Sequence, residues 1–174
     1  MYPVITFKEI DSWTTILITD WGNKSYECEV YNVSSGWYSI ACLMRAVTDL
    51  LQDKRRSTGV EFSIESEGYL YWLFTPLFTV NKYERGVDLL KLSIYRSPYW
   101  DAIEDDIYNE LELPVPEIEF TIADPTNFAS GLIAELEKHG MQAFETFFYT
   151  KDWQTNLDAL KLAYAKARDS NQRS

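Results

Sequence analysis

Apolar positions recur with two different periods along this chain, and the switch between them separates strands from helices. Residues 4–10 and 13–21 are rich in β-branched and aromatic side chains, broken at Asp11 and Ser12, and read as two strands. Trp21-Gly22-Asn23-Lys24 is a turn signal. Over residues 25–33, Tyr26, Cys28 and Val30 alternate with Glu27, Glu29 and Tyr31, which predicts a third strand. The period then changes. After Ser34-Ser35-Gly36, the residues Ile40, Leu43, Met44, Val47, Leu50 and Leu51 fall on one stripe of a helix. Lys54, Arg55 and Arg56 follow, where cations suit the helix dipole.

Alternation returns in the middle. Val60, Phe62 and Ile64 predict a strand, and Glu67-Gly68 a turn. Residues 69–75 are apolar on both faces and predict an interior strand ended by Pro76. Phe78, Val80 and Lys82 suggest a short separate piece before a strand over residues 87–95. Ser97-Pro98 looks like a helix start, and Ile103, Ile107 and Leu111 recur every fourth residue after it. Pro114 and Pro116 stop that helix; residues 117–123 alternate again, with Ile118, Phe120 and Ile122 inward. Two helices close the chain, over residues 128–139 with Gly140 as C-cap and over residues 153–168. An aromatic stretch, residues 141–149, lies between them.

Hairpin-like strands with segregated helices indicate an α+β class. We expect a single domain over residues 1–168, with a flexible polar tail at 169–174. Its sheet should be mainly antiparallel, of about six to seven strands, with a helix after strand three and a helical C-terminal part. At 174 residues the chain can bury about 70% of its unfolded surface, so a core needs no disulfide or metal. The opening residues lack a basic segment followed by a long apolar run, and no apolar run reaches the length of a membrane span. The expectation is a cytoplasmic protein, away from membranes, with Cys28 and Cys42 as free thiols.

Charge changes this picture most. Residues 97–137 contain eleven acids and no Lys or Arg: Asp101, Glu104, Asp105, Asp106, Glu110, Glu112, Glu117, Glu119, Asp124, Glu135 and Glu137. The rest of the chain is balanced, so this stretch carries the whole net charge of −11. Such a field favours a basic partner or a cation and disfavours direct binding to nucleic acid. The cluster Asp101, Glu104, Asp105 and Asp106 has the oxygen donors that calcium or magnesium takes, but neither the spacing nor the glycine of an EF-hand. Two carboxylates could serve a glycosidase, yet among 27 acids the sequence nominates no pair. No phosphate-binding glycine loop, nucleophile elbow or zinc spacing is present. His139, just before Gly140, suits a structural role on terminal carbonyls. No cofactor is expected.

Phe62-Ser63-Ile64-Glu65, then Glu67-Gly68-Tyr69-Leu70-Tyr71-Trp72-Leu73-Phe74, then Val87-Asp88-Leu89-Leu90-Lys91-Leu92-Ser93-Ile94 resemble a group of uncharacterised bacterial α+β proteins. In these a Gly-x-Tyr-x-Trp-x-Phe strand lies between an amphipathic helix and another strand. The helix beginning at Phe128 is similar to theirs, and the likeness spans most of residues 36–150. A basic residue expected in the Trp strand is missing here. The resemblance implies an immunity protein that neutralises a toxin, and it carries over no catalytic residues. The residues themselves point to a non-enzymatic acidic binding protein. Asp101, Glu104, Asp105, Asp106 and Glu110 would meet basic groups of a protein partner, such as a toxin or nuclease, with Tyr99, Trp100 and Tyr108 as aromatic anchors. The alternatives are a scaffold domain with an incidental acidic face, and a carboxylate- or metal-dependent enzyme using the same acids.

Overall fold

The first three apolar runs form a meander. In a computed structural model of the chain, β1 (Val4–Ile10), β2 (Trp13–Thr19) and β3 (Ser25–Tyr31) pair antiparallel in the order β1-β2-β3. The structure describes residues 4–10, 13–20, 22, 24–31, 39–53, 57–64, 68–80, 85–97, 115–144 and 150–171. Asp20 shapes the β2–β3 turn: its Oδ1 accepts from the amides of Gly22 (2.8 Å) and Lys24 (3.0 Å). A short polar side chain thereby takes up turn amides that no strand would satisfy.

A second antiparallel sheet follows α1 (Ser39–Gln52). It comprises β4 (Thr58–Ile64), β5 (Gly68–Val80), β6 (Arg85–Ser97) and β7 (Ile118–Ile122), in the order β4-β5-β6-β7. The class is α+β with antiparallel pairing throughout, but the strands are divided into sheets of three and four where the alternation had suggested one. Period two specifies which face of a strand is buried. It does not specify which strand is the neighbour.

Pro76 does not end its strand. β5 runs on to Val80, and Pro76 pairs with Leu90. The reason is local. β4 reaches along β5 only to the Thr58–Phe74 pair, so Pro76 lies where β5 has β6 alone as neighbour and a missing N–H is tolerated. The piece expected around Phe78 and Val80 is this same strand. Opposite it, Leu77 pairs with Leu89 and Phe78 with Val87, leaving Asp88 as the extra residue of a bulge.

α2 (Pro125–Phe144) and α3 (Thr150–Asn171) complete the order. α2 starts earlier than its apolar stripe because Asp124 caps it. The Asp124 carboxylate accepts from the Thr126 amide (2.9 Å) and hydroxyl (2.6 Å), with Pro125 at the first helical position. Gly140, at φ 70° and ψ 166°, breaks the helix, which resumes to Phe144. The helix expected at 98–112 and the basic run 54–56 lie outside the described residues, as do residues 145–149.

One continuous core joins both sheets and the three described helices. β2 and β3 contribute Ile16, Ile18, Cys28 and Val30; β4 to β6 contribute Val60, Phe62, Trp72, Phe74, Leu92 and Ile94. The full α1 stripe is buried, as are Leu132, Leu136, Trp153 and Leu160 of the later helices. β5 is interior to its sheet and its second face is partly covered, with Leu73 and Tyr95 buried in a small cluster with Tyr71. The Tyr71 phenol lies across Gly59, and a Cβ at Gly59 would overlap it. Glycine at that strand position leaves room for the ring.

Candidate functional site

The eight residues proposed as a partner-binding set, Tyr99, Trp100, Asp101, Glu104, Asp105, Asp106, Tyr108 and Glu110, lie outside the described residues. The rest of the acidic stretch is described from Glu117 onward. Both ends of the intervening chain are held at one place. Ile94 of β6 pairs with Ile118 of β7, and the Glu117 amide donates to the Ile94 carbonyl (2.8 Å).

The acids of β7 meet cations from neighbouring strands. Glu119 stands opposite Ser93 in register. Its carboxylate accepts from the Ser93 hydroxyl (2.9 Å) and from Lys91 (2.8 Å). These hydrogen bonds, Lys91 first, hold its carboxyl below the ordinary glutamate value. The Lys24 ammonium, at the start of β3, donates to the Glu119 carbonyl and lies 5.6 Å from the centre of the Phe120 ring. Glu117 is shared: the Tyr26 hydroxyl donates to one oxygen (2.6 Å) and the Arg96 guanidinium to the other (2.7 Å). Burial, with the Glu117 carboxylate beside it, pushes the Tyr26 hydroxyl well above the usual phenol range. This seam ties β3 of the first sheet to β6 and β7 of the second.

The remaining three acids are engaged as well. Asp124 caps α2. Glu137 pairs with Lys161 of α3 at 2.6 Å. Glu135 contacts Lys138 at 3.2 Å and reaches across to β1, where its Oε2 accepts from the Phe7 amide (3.1 Å). His139, one turn later, has Nε2 3.0 Å from the Phe7 carbonyl and 3.5 Å from Glu135. The expectation for His139 needs correcting in its partner: the ring serves a carbonyl of β1, not the last carbonyls of its own helix.

These contacts correct the sequence picture of one unneutralised field over residues 97–137. That stretch has no base of its own, but the fold brings Lys91, Arg96, Lys138 and Lys161 to the described part of it. Half-exposed ion pairs of this kind contribute about 0–1 kcal/mol each. What they change is the charge left uncompensated at this part of the surface. The alternation of β6 and β7 was legible, but not their register, which is what brings Lys91 and Ser93 beside Glu119. The Phe7 contacts had no such signal, since Glu135 and His139 are 128 and 132 residues away.

Among the described residues no group of three or more His, Cys, Asp and Glu is placed to hold a metal. No described helix is long and apolar enough to cross a membrane. Cys28 and Cys42 are free thiols; burial pushes Cys28 up to about 12 and raises Cys42. No family model, curated protein or solved structure matches the chain.

Proposed function

We propose that this chain is a non-enzymatic acidic binding protein that occludes a basic surface of a protein partner, as an immunity protein occludes a toxin or nuclease. One observation carries the reading. The five described acids of the acidic stretch are each matched by a base or a helix cap, whereas residues 98–114 contribute six acids and no base to a net charge of −11. Six acids that no base of the same segment offsets therefore fall between β6 and β7. Asp101, Glu104, Asp105, Asp106 and Glu110 supply charge for fast, specific association, and Tyr99, Trp100 and Tyr108 supply anchors. The resemblance to immunity-like bacterial proteins agrees with this assignment.

The test is a titration against a panel of purified basic nucleases and nuclease toxins at low and high salt. One member should bind, with affinity falling at least roughly tenfold as ionic strength rises from 0.05 to 0.5 M, because charge attraction is screened. The triple variant D101K/E104K/D105K should lose about a hundredfold or more of that affinity. Binding that ignores both salt and charge reversal overturns the proposal.

A further inference from the structure

The acidic connection between β6 and β7 is held at its base by more than the strand ladder. That ladder finishes at the Ile94–Ile118 pair, extended only by the bond from the Glu117 amide to the Ile94 carbonyl. Pro116, the residue before, has no N–H with which to lengthen it. Side chains take over from there. Arg96, two residues past Ile94, donates from Nε to Glu117 Oε1 (2.7 Å), so one residue from each side of the connection meets across its base. The Tyr26 hydroxyl donates to Glu117 Oε2 (2.6 Å). Tyr26 is fixed independently, on β3 opposite Ile18 of β2. Burial raises its hydroxyl well above the usual phenol range, so it stays a donor at neutral pH. Both oxygens of one carboxylate are thus engaged, one by the exit strand and one by the other sheet. Two charge-assisted bonds to a planar carboxylate set a direction where one sets only a distance. Arg96 and Glu117 are 36% and 35% exposed, and an ion pair so placed adds only about 0–1 kcal/mol to stability. The arrangement therefore does little for the fold as a whole. What it holds is the connection.

We infer that Tyr26, Arg96 and Glu117 are positioning residues that fix how the acidic connection leaves β6 and enters β7, and so the orientation in which its carboxylates meet a basic protein partner. This role presupposes the occlusion of such a partner proposed above. Orientation matters because the need to align two specific patches is what keeps association below the diffusion limit. The same charges spread over many arrangements steer a partner less well than charges in one arrangement.

The experiment compares R96A and Y26F with K91A in the full chain. R96A and K91A each remove one positive charge from β6, so charge alone would speed association with a basic partner slightly in both. Y26F changes no charge. Two quantities are measured: amide exchange at Glu117, and the association rate with whichever basic nuclease of the panel binds the native chain. In R96A and Y26F the Glu117 amide should exchange about tenfold faster, while the Trp72 and Phe74 amides of β5 stay as slow as in the native chain. Association should slow about fivefold or more in both. K91A should keep the native association rate or exceed it. Y26F deletes a single hydroxyl and carries the test should R96A fail to fold. Native association rates in R96A and Y26F overturn the inference, as does a K91A that slows as much as R96A. So does faster exchange in every strand, which would mean that the three residues serve the whole fold. If no nuclease of the panel binds, the occlusion reading fails, and the Glu117 amide still reports whether these side chains hold the base of the connection.

Discussion

Replacing Trp72 by phenylalanine sets two opposing effects against each other. Trp72 is fully buried in β5, its ring 4.8 Å from that of Phe62 and tilted by 58°. Among the described residues, nothing accepts a hydrogen bond from its indole N–H. An unsatisfied buried donor costs about 1–3 kcal/mol. W72F removes that donor and keeps an aromatic ring on Phe62, so most of the roughly 0.5–1.5 kcal/mol of ring contact survives. Against this, phenyl is smaller than indole by about 40 Å³, which at roughly 24 cal/mol per Å³ is about 1 kcal/mol of cavity, plus a transfer loss of about 1 kcal/mol. The two sides nearly cancel, and W72F should change stability by no more than about 1 kcal/mol. W72A removes the same donor but opens a far larger void, and should cost about 3–5 kcal/mol. Urea unfolding followed by far-ultraviolet circular dichroism measures both, and an unchanged slope confirms that midpoint shifts report stability. A W72F loss above about 3 kcal/mol refutes the reasoning, because it means that the indole N–H contributes a bond in the native state.

Two further outcomes follow from the titrating groups. The folded Glu119 carboxyl lies below its ordinary value of 4.5, so its contribution to stability is complete above that value and is lost as pH falls through the folded value. E119Q should therefore flatten the acid side of the stability profile below about pH 4.5 and leave its shape near neutrality unchanged, as read by melting temperature across pH; an identical acid limb in E119Q argues against the Lys91 and Ser93 bonds. Both thiols are held protonated by burial, Cys28 more deeply than Cys42. A disulfide-exchange reagent at pH 8 should label Cys42 before Cys28, and both at once in denaturant; rapid labelling of native Cys28 contradicts its placement in the core.

Strand and helix positions were largely readable because burial imposes its period on side chains. The α1 stripe, from Ile40 to Leu51, is buried as its spacing requires, and Val60, Phe62 and Ile64 face inward together. Four features were not readable, each because the deciding partner lies elsewhere in the chain. Pro76 continues a strand because β4 stops short of it. The strands separate into two sheets because pairing depends on neighbours that alternation does not encode. His139 bonds to Phe7 because α2 packs on β1, a contact with no local trace. The acidic stretch was readable as composition. Its partial neutralisation was not, since Lys91 and Arg96 become neighbours of Glu119 and Glu117 only when β6 and β7 align.

The paired exit and entry of the chain at Ile94 and Ile118 has an evolutionary consequence. The stretch between β6 and β7 departs and returns one strand spacing apart, about 5 Å, whatever its length or sequence. Each doubling of such a connection adds only about 0.6 kcal/mol of closure entropy. Insertions and substitutions there are therefore cheap for the sheet, and the strands on either side need not change with them.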